Sequence, residues 1–146
     1  MRGRFRVLGY GAITTEAGIP VPKRLEMIHN ELKEVIGRYH PDEIAVEELF
    51  FNSNHTTAIT VAEARGVILL TAQQMGVKLF EYTPLQVKSA VVGYGKAEKK
   101  QVIAMTNSLL GLEKGPRLDD TADALAIAVC HAHSGNSRLR DYFNQD

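Results

Sequence analysis

The chain has 146 residues, 45% of them apolar and 23% charged, with 17 basic against 17 acidic side chains: one domain's worth of ordinary globular composition and no net charge. Neutrality excludes a global positive field, so any nucleic-acid partner has to be held by a local patch, and no apolar run approaches the roughly 20 residues of a membrane span. The single cysteine, Cys130, rules out a disulfide within the chain, and the basic start Met1-Arg2-Gly3-Arg4-Phe5-Arg6 has no apolar signal core behind it. These features place the protein in a reducing compartment, the cytoplasm, with no membrane partner.

Taken in order, Arg4 to Thr15 carries aromatic and β-branched residues between glycines and reads as a strand, and Glu16 to Pro20 reads as a turn. From Pro22 to Tyr39 the apolar residues Leu25, Ile28, Leu32, Val35 and Ile36 recur at spacings of three and four, an amphipathic helix stopped by His40-Pro41-Asp42. Glu43 to Glu47 is a short strand, followed by Glu48-Leu49-Phe50-Phe51 and a polar loop, Asn52 to His55. A second helix is expected from about Thr56 to Met75, ended by Gly76, then a strand over Val77 to Tyr82. Thr83-Pro84 opens a further helix with proline at its first position. Gly93 to Lys96 is a connector, Ala97 to Leu110 a long helix, and Gly111 to Arg117 a loop. From Thr121 to Ala132 there is no Pro, no Gly and no charge but Asp123, so this run reads as a helix buried on most faces. Residues 135–146 read as a flexible tail after a domain over 1–134. Strands alternating with helices predict an α/β sheet with helices packed on it.

Three acids stand at the head of the last helix. Asp120 and Asp123 are three apart and share a face of its first turn. Two readings stand for such a pair: capping of the helix and its dipole, or oxygen ligation of Mg²⁺ or Mn²⁺. Asp123 fits capping less well than Asp119 and Asp120, because it lies among apolar neighbours, where a carboxylate without a partner is costly. Glu47 is the candidate partner. Strand alternation sends Ala45 and Glu47 to one side and Ile44 and Val46 to the other, and the C-terminal ends of α/β strands are where such sheets place ligands. The plain alternative is that Glu47 and Glu48 are the solvated end of a strand. Together the three acids fit a metal site for phosphodiester cleavage, in which two cations about 3.5–4 Å apart activate water and stabilise the leaving oxygen.

Between Gln86 and Ile103 the charged residues are Lys88, Lys96, Glu98, Lys99 and Lys100, with Tyr94 and two glycines among them. The run suits a phosphate-contacting surface, or is a solvated helix face. Phe50-Phe51 is either core or, in part, a platform for an unpaired base. His131 and His133 are two apart on a helix, face different ways and are read as structural.

These residues carry a family likeness. Ala45-Val46-Glu47-Glu48-Leu49-Phe50, Ala64-Arg65-Gly66, Phe80-Glu81-Tyr82, Gln86-Val87-Lys88, Val91-Val92-Gly93, Ala97-Glu98-Lys99 and Asp120-Thr121-Ala122-Asp123-Ala124-Leu125-Ala126-Ile127-Ala128 resemble, in the right order, the RuvC-type Holliday-junction resolvases. The resemblance implies a ribonuclease-H-like mixed sheet flanked by helices and a homodimer. It also implies symmetric, Mg²⁺-dependent nicking of four-way DNA junctions in recombination and repair, beside a branch-migration motor complex. It gives Glu47, Asp120 and Asp123 as ligands of two Mg²⁺ ions, for which Mn²⁺ is a substitute. Lys88 and Lys99 become basic residues at the scissile strands, with Lys99 in a catalytic role, Phe50 an aromatic that meets bases, and Arg65 a further DNA contact; Lys96 and Lys100 are expected DNA contacts from the basic run itself. The family opens with a strand ending in Asp-Pro-Gly, whose Asp is a fourth ligand. Here Tyr10 stands where that Asp would be, and the flanking residues match a later strand better, so the expectation is a domain truncated at its N-terminus. A non-catalytic junction-binding protein, because one metal-ligand Asp is missing, or another ribonuclease-H-like nuclease, is the corresponding alternative.

Overall fold

The computed structural model describes residues 5–48 and 55–134. Phe50, the polar loop over 52–54 and the tail over 135–146 lie outside them. The elements run α1 (Val21–Tyr39), β1 (Glu43–Glu47), α2 (His55–Gln74), β2 (Lys78–Tyr82), α3 (Pro84–Val91), α4 (Lys99–Leu110) and α5 (Asp119–Ser134). The described residues fall into two compact units: one from residues 5–12, 45–48 and 80–134, the other from residues 13–44 and 55–79. No described helix is long and apolar enough to cross a membrane.

In the second unit α1 packs on α2. His29 Nδ1 lies 2.8 Å from the hydroxyl of fully buried Thr71, which also donates to the Val67 carbonyl one turn back. The apolar stripe of α1 is only partly covered: Ile36 is buried, whereas Val35 is exposed. Helix α1 ends at His40 in the left-handed region (φ 48°), and the His40 N–H returns to the Ile36 carbonyl.

The first unit holds the chemistry-bearing residues. Its core gathers Phe80, Tyr82, Val87, Val91, Ala97, Val102, Ala126, Ile127, Val129 and Cys130, with Ala45 packed against it. Strands β1 and β2 pair, and the Glu48 N–H bonds the Tyr82 carbonyl at 2.8 Å. Joining the C-terminal ends of both strands, that bond makes the pair parallel, as the helical crossover between them requires. Alternation puts Phe80 and Tyr82 on one face of β2, against α5, where the His131 ring packs 4.5 Å from Phe80 and bonds the Tyr82 hydroxyl. His133 bonds the Ala90 carbonyl at 3.1 Å, so both histidines are structural, as their spacing implied.

Local chemistry sets the helix starts. Thr83 and Gln86 form a reciprocal capping box ahead of Pro84, with the Gln86 N–H 3.1 Å from the Thr83 hydroxyl and the Thr83 N–H 2.8 Å from the Gln86 amide oxygen. Gly111 takes φ 68° at the end of α4, a conformation that suits a residue without Cβ. The strand expected over Arg4 to Thr15 is a correction: residues 5–16 are irregular. A strand exists only through a hydrogen-bonded neighbour, and among the described residues β1 and β2 pair with each other alone. The segment is held otherwise, by Phe5 against the His133 ring and by the Thr121 hydroxyl donating to the Gly11 carbonyl at 3.3 Å.

Candidate active site

The first unit carries a cleft of about 230 Å³ lined by Glu47, Pro84, Val87, Lys88, Lys99, Val102, Ile103, Asp123, Ala126 and Ile127. Its floor is apolar because the inward faces of α3, α4 and α5 meet there. Its acids arrive from two directions: Glu47 from the last residue of β1, and Asp123 from the second turn of α5. Lys88 enters from α3 and Lys99 from the first residue of α4. Four residues singled out in the sequence therefore share one cavity.

Electrostatics ties the third acid to it. The Glu47 carboxyl is pushed above the usual carboxylate range, first by burial, then by the charges of Asp123 and Asp120, with Lys99 working in the opposite direction. Glu47 is exposed as a residue, at the end of its strand, but its side chain lies against the cleft walls, which accounts for burial being the leading cause. The Lys99 Nζ lies 3.6 Å from Asp123 Oδ2 and 3.6 Å from Asp119 Oδ2. Its ammonium is held above the usual lysine range chiefly by the charge of Asp123, against desolvation, with a further contribution from Asp119. The partner that Asp123 required is thus Lys99, and Asp123 is only half-buried.

A stability test follows from the direction of the Glu47 shift. Its folded pKa exceeds its unfolded one, so its favourable contribution is complete below the ordinary carboxylate range and is lost as pH rises through the raised value. At neutral pH ionised Glu47 therefore opposes folding when no divalent ion is present. In EDTA, Glu47→Gln is expected to melt above wild type at pH 7 and to converge with it toward pH 4, by thermal denaturation. Equal melting temperatures at every pH would contradict the strained carboxylate.

Asp119 and Asp120 are both in the first turn of α5, exposed, inside the helix rather than at its N-cap position. Lys96, in the α3–α4 connector, and Lys100 are exposed, and Lys100 faces Glu98 at 3.9 Å. Neither lines the cleft. Arg65 is in α2, in the other unit. Sequence spacing missed the apolar walls of the cleft and the tie between Lys99 and Asp119; both arise from packing α4 on α5, which no local pattern encodes.

The ribonuclease-H-like α/β class expected from the sequence is borne out by comparison with known proteins. The model of the family "Crossover junction endodeoxyribonuclease RuvC" matches residues 2–131. The crossover junction endodeoxyribonuclease RuvC of Alkaliphilus oremlandii is 56% identical over 133 residues, covering 91% of this chain and 81% of that one; the protein of Alkaliphilus metalliredigens is 57% identical with the same coverage. Among solved structures, Thermus thermophilus RuvC superposes with TM-score 0.83 at 39% identity, covering 90% of this chain and 79% of that one. T. thermophilus RuvC in complex with a Holliday junction substrate gives TM-score 0.86 at 38% identity, with 91% and 81% covered. The chain belongs to the RuvC family.

Proposed function

We propose that the chain is a structure-selective endodeoxyribonuclease that resolves four-way DNA junctions by symmetric, divalent-metal-dependent phosphodiester hydrolysis in recombination and repair. The observation that carries the reading is the meeting of Glu47 and Asp123 in one lysine-edged cleft, in a chain of this family. The junction-bound Thermus relative supports four-way DNA as the substrate.

The donor set fits a hard cation: Glu47, Asp120 and Asp123 offer carboxylate oxygens, and Glu47 is destabilised by the other two charges in a way that a cation relieves. Among the described residues no three acidic, histidine or cysteine side chains close into a cage by themselves. Glu47, Asp120 and Asp123 would hold two Mg²⁺ ions, or Mn²⁺ in their place. When bound, such ions activate the attacking water and stabilise the leaving oxygen. The chain's own contribution is positional. Lys88 and Lys99 receive the scissile phosphate at the cleft, and exposed Lys96 and Lys100 contact the flanking backbone. Arg65 and Phe50 are assigned to DNA contact by the family likeness alone.

Symmetric nicking requires two sites, and a homodimer is supported by the exposed apolar residues Ile59 and Leu70, eleven apart and so on one face of α2. A branch-migration motor complex as partner, and the cytoplasm as location, complete the proposal. The test is nicking of a synthetic four-way junction against a linear duplex of the same sequence, with Mg²⁺ or EDTA. Paired nicks in the junction alone, abolished by EDTA, are expected; equal nicking of the duplex would overturn junction selectivity.

A further inference from the structure

Lys99 occupies an unusual place for a lysine. It is the first residue of α4, at the positive end of that helix's dipole, where a cation is disfavoured. What holds it there is the head of α5, where its Nζ is shared at 3.6 Å between Asp123, which faces the cleft, and Asp119, which does not line it. Asp119 and Asp123 are one turn apart, so the ammonium has two carboxylate positions to occupy.

We propose that Asp119 is a positioning residue that parks Lys99: Lys99 is the resident counter-ion of Asp123 in the metal-free protein, and Asp119 retains it beside the cleft when a divalent cation takes Asp123. The inference rests on the metal-site reading above and deepens it. A cation arriving at Asp123 has to break the Lys99–Asp123 pair. With Asp119 present the displaced ammonium keeps a partner, so the exchange is nearly balanced, and Lys99 remains where a substrate phosphate reaches it. Without Asp119, Lys99 rests on Asp123 alone and opposes the cation more strongly. The ordinary reading of Asp119, a first-turn acid complementing the helix dipole, predicts no such dependence on Lys99.

The test is Mg²⁺ binding by calorimetry on the whole chain, in wild type, Asp119→Asn, Lys99→Met and the double variant. Lys99 and Asp119 are exposed and Asp123 is half-buried, so effects lie near the range of surface ion pairs, about two- to fivefold in affinity. Lys99→Met is expected to tighten Mg²⁺ binding. Asp119→Asn is expected to weaken it about two- to fivefold with Lys99 present and by a clearly smaller factor in the Lys99→Met background. Asp119→Glu, which keeps the charge, restores wild-type affinity. Equal weakening by Asp119→Asn in both backgrounds would overturn the parking role and leave the metal site standing. Absence of Mg²⁺ binding in both wild type and Lys99→Met would remove the metal site itself, and this inference with it.

Discussion

Asp123→Asn is expected to lower junction nicking at least about 100-fold while leaving junction binding within about threefold of wild type. The substitution is nearly isosteric, and Asp123 is half-buried on a helix whose core face is made by Leu125, Ala126, Ile127, Val129 and Cys130, so the fold survives it. What disappears is one of the two acids lining the cleft, and with it a charge that adds to burial in raising Glu47 and is the main cause raising Lys99. Binding is carried elsewhere, by lysine contacts to phosphate, and losing an acid beside them does not weaken it. Mg²⁺-dependent nicking and gel-shift titration on the same junction separate the two effects. Nicking at wild-type rate would remove Asp123 from the site, and parallel loss of binding and nicking would make the substitution merely structural.

The largest stability effect is expected at Tyr82. It is fully buried in β2, packs in the core of the first unit and bonds His131 through its hydroxyl. Tyr82→Ala removes a whole ring from a close-packed interior and leaves the His131 nitrogen without that partner, a loss of about 3–5 kcal/mol. For a chain of this size that is a fall in melting temperature of roughly 10–20 °C. Tyr82→Phe keeps the ring and loses only the hydroxyl, about 1 kcal/mol. Because the ring packs the strand whose backbone holds Glu48, next to Glu47, the less stable alanine variant is expected to lose nicking at temperatures where the phenylalanine variant retains it. A melting temperature for Tyr82→Ala within about 3 °C of wild type would show that the core does not depend on this ring.

Much of this was legible in the chain. The spacing of Leu25, Ile28, Leu32 and Ile36 located α1 to within a residue at its start, and Thr83-Pro84 marked the first turn of α3 because capping chemistry is local. The acids and lysines of the cleft were legible for a different reason: strand alternation and helix periodicity fix which way Glu47 and Asp123 point, and the ordered family motifs add the rest. The strand expected over Arg4 to Thr15 failed because β-propensity without a pairing neighbour does not make a strand. The partner of Asp123 was illegible too. Lys99 lies 24 positions away on another helix, and only the packing of α4 against α5 brings it to the acid. The same packing turned Asp119 from a presumed cap into half of a lysine's resting place.

Whether Glu47 and Asp123 hold a cation between them in one cleft is tested by anomalous scattering from Mn²⁺ soaked into crystals of the protein. A peak is expected in the cleft within ligand distance of both carboxylates, displaced by excess Mg²⁺ and absent in Asp123→Asn. Mn²⁺ bound only elsewhere, or an empty cleft at saturating concentration, would contradict it.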